Sequence, residues 1–165
     1  MATANLTAAR LREVLHYDPD TGIFTWLKRV ANRVQIGDIA GAVGGPGYRS
    51  TTVDGRKYTM HRLAWLYAYG SWPSGDIDHI NGVRLDNRMS NLRDVSRSMN
   101  LENQRSASAR NRSGLLGVSV ARHGKWEATI KVRGTRYHLG IFDTPEVAHA
   151  AYILAKRRLH VGCTI

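Results

Sequence analysis

The stretch Gln104 to Arg112 reads Gln-Arg-Ser-Ala-Ser-Ala-Arg-Asn-Arg and carries no apolar periodicity. Apolar patterning therefore comes in two blocks, and each block has to bury a core of its own. A chain of 165 residues is long enough for two small domains. The stretch reads as a basic linker over 105–112 that can track phosphates, or else as the solvated extension of a helix. Charge changes at the same place. Residues 1–104 hold 13 Lys/Arg and 10 Asp/Glu, and residues 105–165 hold 11 and 3. The net charge of +11 is thus carried mostly by the shorter block, and a polyanionic partner, nucleic acid first, is expected.

The block before the linker has mixed patterning. Thr7 to Leu15 has the spacing of a short amphipathic helix, and Tyr17-Asp18-Pro19-Asp20-Thr21-Gly22 reads as a turn before a strand at Gly22–Trp26. Gly41 to Gly47 is glycine-dense. Tyr48–Val53 and Arg56–Met60 are expected strands joined by Asp54-Gly55, a strong hairpin pair. His61–Tyr69 is an expected partly buried helix, stopped by Gly70, Pro73 and Gly75. After the linker, Gly117–Val120, Trp126–Val132 and Arg136–Leu139 read as three short strands, with turns at His123-Gly124 and Gly134-Thr135. Thr144-Pro145 then opens a helix to His160, which places Ala148, Ala151, Tyr152, Ala155 and Leu159 on one stripe.

A lone cysteine, Cys163, excludes an internal disulfide and a Cys-rich zinc site, and it fits a reducing compartment. Met1 to Arg12 lacks the apolar core of a signal peptide, and no apolar run approaches the roughly 20 residues that span a bilayer. A soluble, cytoplasmic protein without a membrane partner is expected.

Chemistry concentrates in Ile77-Asp78-His79-Ile80-Asn81-Gly82, followed by Asp86-Asn87, Asn91-Leu92-Arg93 and Asn100. Phosphodiester hydrolysis needs an activated water, neutralisation of phosphate charge and help for the leaving oxygen. A hard divalent cation serves the last two needs and prefers oxygen ligands, which Asp78 and Asn100 can supply. His79 can take a proton from water near neutral pH. Neighbours on a strand point to opposite faces, so a site using both Asp78 and His79 needs a bend or a groove. Asn81-Gly82 reads as a hairpin turn. Asn87 and Asn91 are alternatively turn or cap residues, and Asn103 is a nearby alternative to Asn100. Ser96 is a candidate N-cap for the helix carrying Asn100.

From His61 to Asn103 the sequence resembles the HNH endonucleases, particularly the zinc-free branch of bacteriophage and intron-encoded homing enzymes. The resemblance implies an α+β chain with a ββα-metal (His-Me finger) core. It implies one divalent ion, Mg²⁺ or alternatively Mn²⁺, no structural zinc, and double-stranded DNA as substrate. If the protein is phage-encoded, its setting is the host cytoplasm. Position by position, Asp78 and Asn100 match metal ligands, His79 the general base, and Asn91 the middle Asn that orients that histidine. His61 begins His-Arg-Leu-Ala-Trp, a segment common before this motif, and is read as structural. Arg62, Arg84, Arg88 and Arg93 are candidate phosphate contacts.

Gly117-Val118-Ser119, Lys125 to Ile130, Leu139-Gly140-Ile141-Phe142, Thr144, Glu146, Ala148 and Ala151-Tyr152 resemble the apetala-type (ethylene-response-factor) DNA-binding domain. That implies a three-stranded antiparallel sheet plus one helix, with the sheet in the major groove. Arg112, Arg122, Lys125, Lys131, Arg133 and Arg136 are the expected DNA-facing cations there, with Arg93 from the nuclease block. Ser119, Ala121, His123 and His138 replace the base-reading residues of plant members, so plant sequence preference does not carry over. Trp126 is a core anchor or a stacking residue. The expected division is a β-rich extension (1–60), nuclease core (61–104), linker (105–112) and DNA-binding domain (113–165). The N-terminal cations Lys28, Arg29, Arg33, Arg49, Arg56 and Lys57 are expected DNA-backbone contacts. Whether one chain or two make the active unit stays open.

Overall fold

A computed structural model of the chain describes residues 6–45, 47–108 and 110–164. The expected N-terminal segment Met1 to Arg12, the glycine-dense Gly41 to Gly47 and the linker each include residues outside that range. The protein is mixed α/β, with four α-helices and small antiparallel sheets among the described residues. It divides into two compact units, one ending at Val95 and the other beginning at Ser96.

In the first unit, α1 (Ala8–Val14) starts where Thr7 Oγ1 accepts the Arg10 N–H at 3.2 Å. The helix ends one residue earlier than its apolar spacing predicts, because Leu15 opens strand β1 (Leu15–Asp18), which pairs in register with β2 (Ile23–Trp26). The turn expected at 17–22 is present, and it joins two strands rather than preceding one. Asp18 Oδ1 accepts from the Asp20 N–H at 2.9 Å, and Gly22 takes φ +73°, a conformation costly for residues with a Cβ.

Short β3 (Ala42–Val43) pairs with β4 (Arg49–Val53), which pairs with β5 (Arg56–Thr59). Asp54 and Gly55 both take positive φ, as a two-residue hairpin loop requires. Helix α2 (Met60–Tyr69) buries Met60, His61, Leu63, Ala64 and Leu66 and is closed by left-handed Gly70. Its apolar face joins α1, Tyr17, Phe24, Trp26, Ile77 and Leu92 in one core. The pair β6 (Asp76–His79) and β7 (Leu92–Val95) completes the unit.

In the second unit α3 (Arg97–Glu102) is capped by Ser96 Oγ, as expected. The sheet has order β10-β9-β8, from β8 (Val118–Val120), β9 (Trp126–Val132) and β10 (Thr135–Phe142). Strand β10 runs three residues beyond the expected Leu139, through a register shift between His138 and Gly140. The β9–β10 turn centres on Arg133-Gly134, both at positive φ, one residue earlier than the expected Gly134-Thr135. Helix α4 (Pro145–Leu159) begins with Thr144 Oγ1 accepting from the Val147 N–H, and it buries Ala148 and Tyr152 against the sheet.

The apolar stripe differs at its end: Leu159 is exposed, whereas Lys156 is 1% exposed. Lys156 can sit there because its ammonium donates to the Gln104 carbonyl, so the stem fills the core and the charge keeps a partner. Trp126, half-buried, packs against the same core, as an anchor would. No helix among the described residues is long and apolar enough to cross a membrane.

Candidate active site

Strand β6 carries Ile77, Asp78 and His79 side by side, and all three are buried. Alternation along a strand would leave one face wet, but both faces of β6 are covered here. Ile77 faces the first core. Asp78 stands opposite Arg93 on β7, and His79 stands opposite Leu92. The Asp78–Arg93 register lets the guanidinium reach one carboxylate oxygen twice: Nε donates to Oδ2 at 2.9 Å, and Nη2 lies 2.7 Å from the same atom. Arg93 therefore neutralises Asp78 directly.

His79 lies against three side chains. Its Nε2 is 3.2 Å from Asn87 Oδ1. An amide oxygen only accepts, so in this contact Nε2 is the donor. Its ring meets His61 edge-on at 5.2 Å between centroids, and Tyr48 lies 6.0 Å away. Tyr48 also packs on His61 at 5.0 Å, and the Arg84 guanidinium lies over the Tyr48 ring at 5.2 Å. Burial lowers the pKa of His79; the Asn87 hydrogen bond and the charges of Asp78 and Asp86 oppose this.

The middle Asn does not do what its position in the motif implies. Asn91 Oδ1 accepts the Asn81 N–H at 2.9 Å, and its Nδ2 donates to the Asp86 carbonyl at 2.8 Å. It closes the loop of residues 80–91 on itself, while Asn87 meets His79. The reason is register: Asn91 immediately precedes β7 beside Ile80, whose N–H bonds its carbonyl, so its side chain is taken up by the loop. Asn81-Gly82 accordingly opens a long loop rather than forming a two-residue hairpin turn. Asp86 braces that loop, accepting from Arg88 and from Asn81 Nδ2 at 2.7 Å. The Arg88 hydrogen bond above all holds its carboxyl down to about 2.

His61, read as structural from the sequence, is 9% exposed, with Nε2 3.3 Å from Thr59 Oγ1. Burial, then the neighbouring charges of His79 and Arg62, pushes its pKa down to about 3. The unfolded chain, with an ordinary histidine, binds a proton at higher pH than the folded chain. Stability is therefore complete above the usual histidine pKa and falls as pH drops from there toward the folded value. Between pH 7 and pH 4 the expected loss from this group is on the order of 3 kcal/mol. Urea unfolding at the two pH values checks this, and His61→Gln should flatten the dependence.

Residues 58–102 match the HNH endonuclease family model. No curated protein and no solved structure matches the chain. The HNH match supports a nuclease. It begins on β5 and ends with α3, so it takes in His61, Asp78-His79, Asn87, Asn91 and Asn100.

Asn100 lies on α3 in the second unit, and the residues around it tie that helix to the end of the chain. The Gly162 N–H donates to Glu102 at 3.3 Å, Arg105 Nη2 donates to Thr164 Oγ1 at 2.7 Å, and the Thr164 hydroxyl donates to Asn103 Oδ1. Asn103, the alternative to Asn100, is thereby engaged in packing.

The donor chemistry fits a hard divalent ion. Asp78 offers the carboxylate oxygen that such an ion prefers. Among the described residues no three His, Cys, Asp or Glu side chains gather as a cage, and Mg²⁺ needs none, since it is commonly held by one or two carboxylates, waters and substrate phosphate.

The expected DNA contacts from Arg112 to Arg136 lie in the second unit, and those from Lys28 to Arg93 in the first. Ala128 and Ile130 of β9 face α4, so Glu127, Thr129 and Lys131 face away. Register puts Arg136 beside Lys131 and His138 beside Thr129 on that outer face, and Arg133 caps its end. The face is not uniformly basic: His138 Nδ1 lies 2.9 Å from Glu127 Oε1. Lys125 pairs with Asp143 at 3.0 Å, and Arg112 and Arg122 are exposed.

Proposed function

We propose that this chain is a divalent-metal-dependent DNA endonuclease, with its nuclease core at 61–104 and a duplex-binding module at 113–165. The observation that carries the reading is the buried Asp78-His79 pair, with Asn87 fixing the ring of His79 and Arg93 balancing Asp78.

His79 accepts the proton of the attacking water, and Asn87 keeps the ring turned for that transfer. Asp78 would hold the ion in the first unit. When bound, it supplies charge neutralisation at the phosphate and help for the leaving oxygen. Arg84, held over Tyr48 beside His79, contacts the substrate phosphate. Half-buried Tyr48 and buried His61 and Leu92 wall the pair from bulk water.

The outer face of the second sheet holds the duplex through Lys131, Arg133 and Arg136, with Arg122, Lys125 and Arg112 at its margins. The apetala-type resemblance and the open basic face support this reading together. Replacing Lys131, Arg133 and Arg136 by alanine should weaken duplex binding across sequences and reduce the slope of log affinity against log salt by about three. It should lower cleavage at limiting protein without changing the rate at saturation. A variant with the parent's affinity and salt slope would remove the module from the proposal.

A further inference from the structure

The N-terminal hairpin β1–β2 lies against the loop that carries Asn87, and its contacts are specific. The Tyr17 hydroxyl, on a ring only 3% exposed, donates to the Asn87 carbonyl at 2.6 Å. The Met89 N–H donates to the Pro19 carbonyl at 3.1 Å. Gly22 comes so close that a Cβ there would lie 2.5 Å from Arg88 N and 2.6 Å from the Asn87 carbonyl carbon. The hairpin thus grips residues 87–89 from both sides. Asn87 is 2% exposed, and its side chain is the one against His79 Nε2. Tyr17 is itself held by Phe24 at 4.5 Å and Tyr67 at 5.7 Å, so the brace is anchored in the first core.

We infer that Tyr17 and Gly22 are positioning residues for hydrolysis: the N-terminal hairpin sets the Asn87 backbone, and through it the orientation of His79. The hairpin lies outside the region matched by the HNH model, which begins at residue 58, so the nuclease site depends on residues from the extension. This rests on the nuclease reading above. The physical reason is rigidity. A loop as long as 80–91 samples many conformations unless tied at several points. Asn91 and Asp86 tie it internally, and the hairpin ties it to the core. Without that external tie, Asn87 has no fixed distance from His79, and small misplacements of a catalytic group cost rate steeply.

The test uses the full chain. Tyr17→Phe removes one hydroxyl and keeps the ring packing. It should lower kcat roughly ten-fold with KM and duplex affinity unchanged. In an Asn87→Ala background the same change should cost nothing further, because the group being positioned is gone. Gly22→Ala, strained by both the contact and its φ of +73°, should show the same split and a larger loss. A second readout needs no cleavage. In metal-free protein the ¹⁵N signals of the His79 ring should shift in Tyr17→Phe, while those of His149 in the second unit stay in place. Parental kcat in both hairpin variants, or full additivity with Asn87→Ala, overturns the inference while leaving a cleaving parent as a nuclease. If the parent itself does not cut DNA, the nuclease reading fails, and the His79 ring signals alone decide whether the hairpin positions that side chain.

Discussion

His79→Ala is expected to abolish DNA cleavage, with a loss of about 10²–10⁴-fold, and to leave duplex binding nearly intact. The separation follows from placement. His79 is buried in the first unit, whereas the proposed duplex-binding cations lie on the outer sheet face of the second. Removing a buried ring from a cluster with His61 and Tyr48 leaves a cavity, so some stability is lost as well. His79→Gln controls for this by filling more of the space without supplying a base. Single-turnover cleavage under saturating protein, with binding measured in parallel, separates the chemical defect from any fault in folding. Near-parental cleavage by both variants would remove His79 from the reaction.

The largest structural effect is expected at Gly117. Its φ is +78°, and a Cβ built there would lie 2.0 Å from Cδ2 of Tyr152 and 2.3 Å from its Cγ. Tyr152 is a core residue of the second unit, 6% exposed, so its ring cannot swing away without opening the sheet–helix interface. Gly117→Ala combines left-handed backbone strain with overpacking, and together these should cost about 3 kcal/mol or more. In the full chain, urea unfolding should show the second unit melting early, and duplex affinity should fall while the first unit's transition stays in place. An unchanged unfolding profile would mean that the β8 entry is far more plastic than its contacts imply.

The elements of this protein were legible where local chemistry decides them. The Asp54-Gly55 hairpin, the Ser96 and Thr144 caps and the three strands before α4 follow from turn and capping residues that act within a few positions. Strand β1 was not legible. Leu15-His16-Tyr17 follows α1 without a breaker, and only pairing with β2 makes it a strand. Lys156 hid for a related reason: a lysine on an apolar stripe reads as its exposed edge until a carbonyl from another segment gives the charge a partner.

The candidate site divides in the same way. Asp78 and His79 stand out as residue types in a recognisable order. What they touch depends on pairing register and on a long loop. Register brought Arg93 to Asp78. The loop brought Asn87, not Asn91, to His79. The motif pointed to Asn91 alone, and no periodicity in the loop tells which amide turns inward. The roles of Tyr17 and Gly22 lie further out of reach, since they act across some seventy positions of chain on the Asn87–Arg88 backbone.

The most direct test puts binding and cutting on one labelled duplex. Parent protein and His79→Ala are mixed with the same DNA, with Mg²⁺ or with chelator, and each sample is read for bound complex and for broken strands. The account predicts complex in all four samples and broken strands only for the parent with Mg²⁺. Bound but unbroken DNA in every sample, across Mg²⁺ and Mn²⁺, would contradict it and leave a DNA-binding protein without nuclease chemistry.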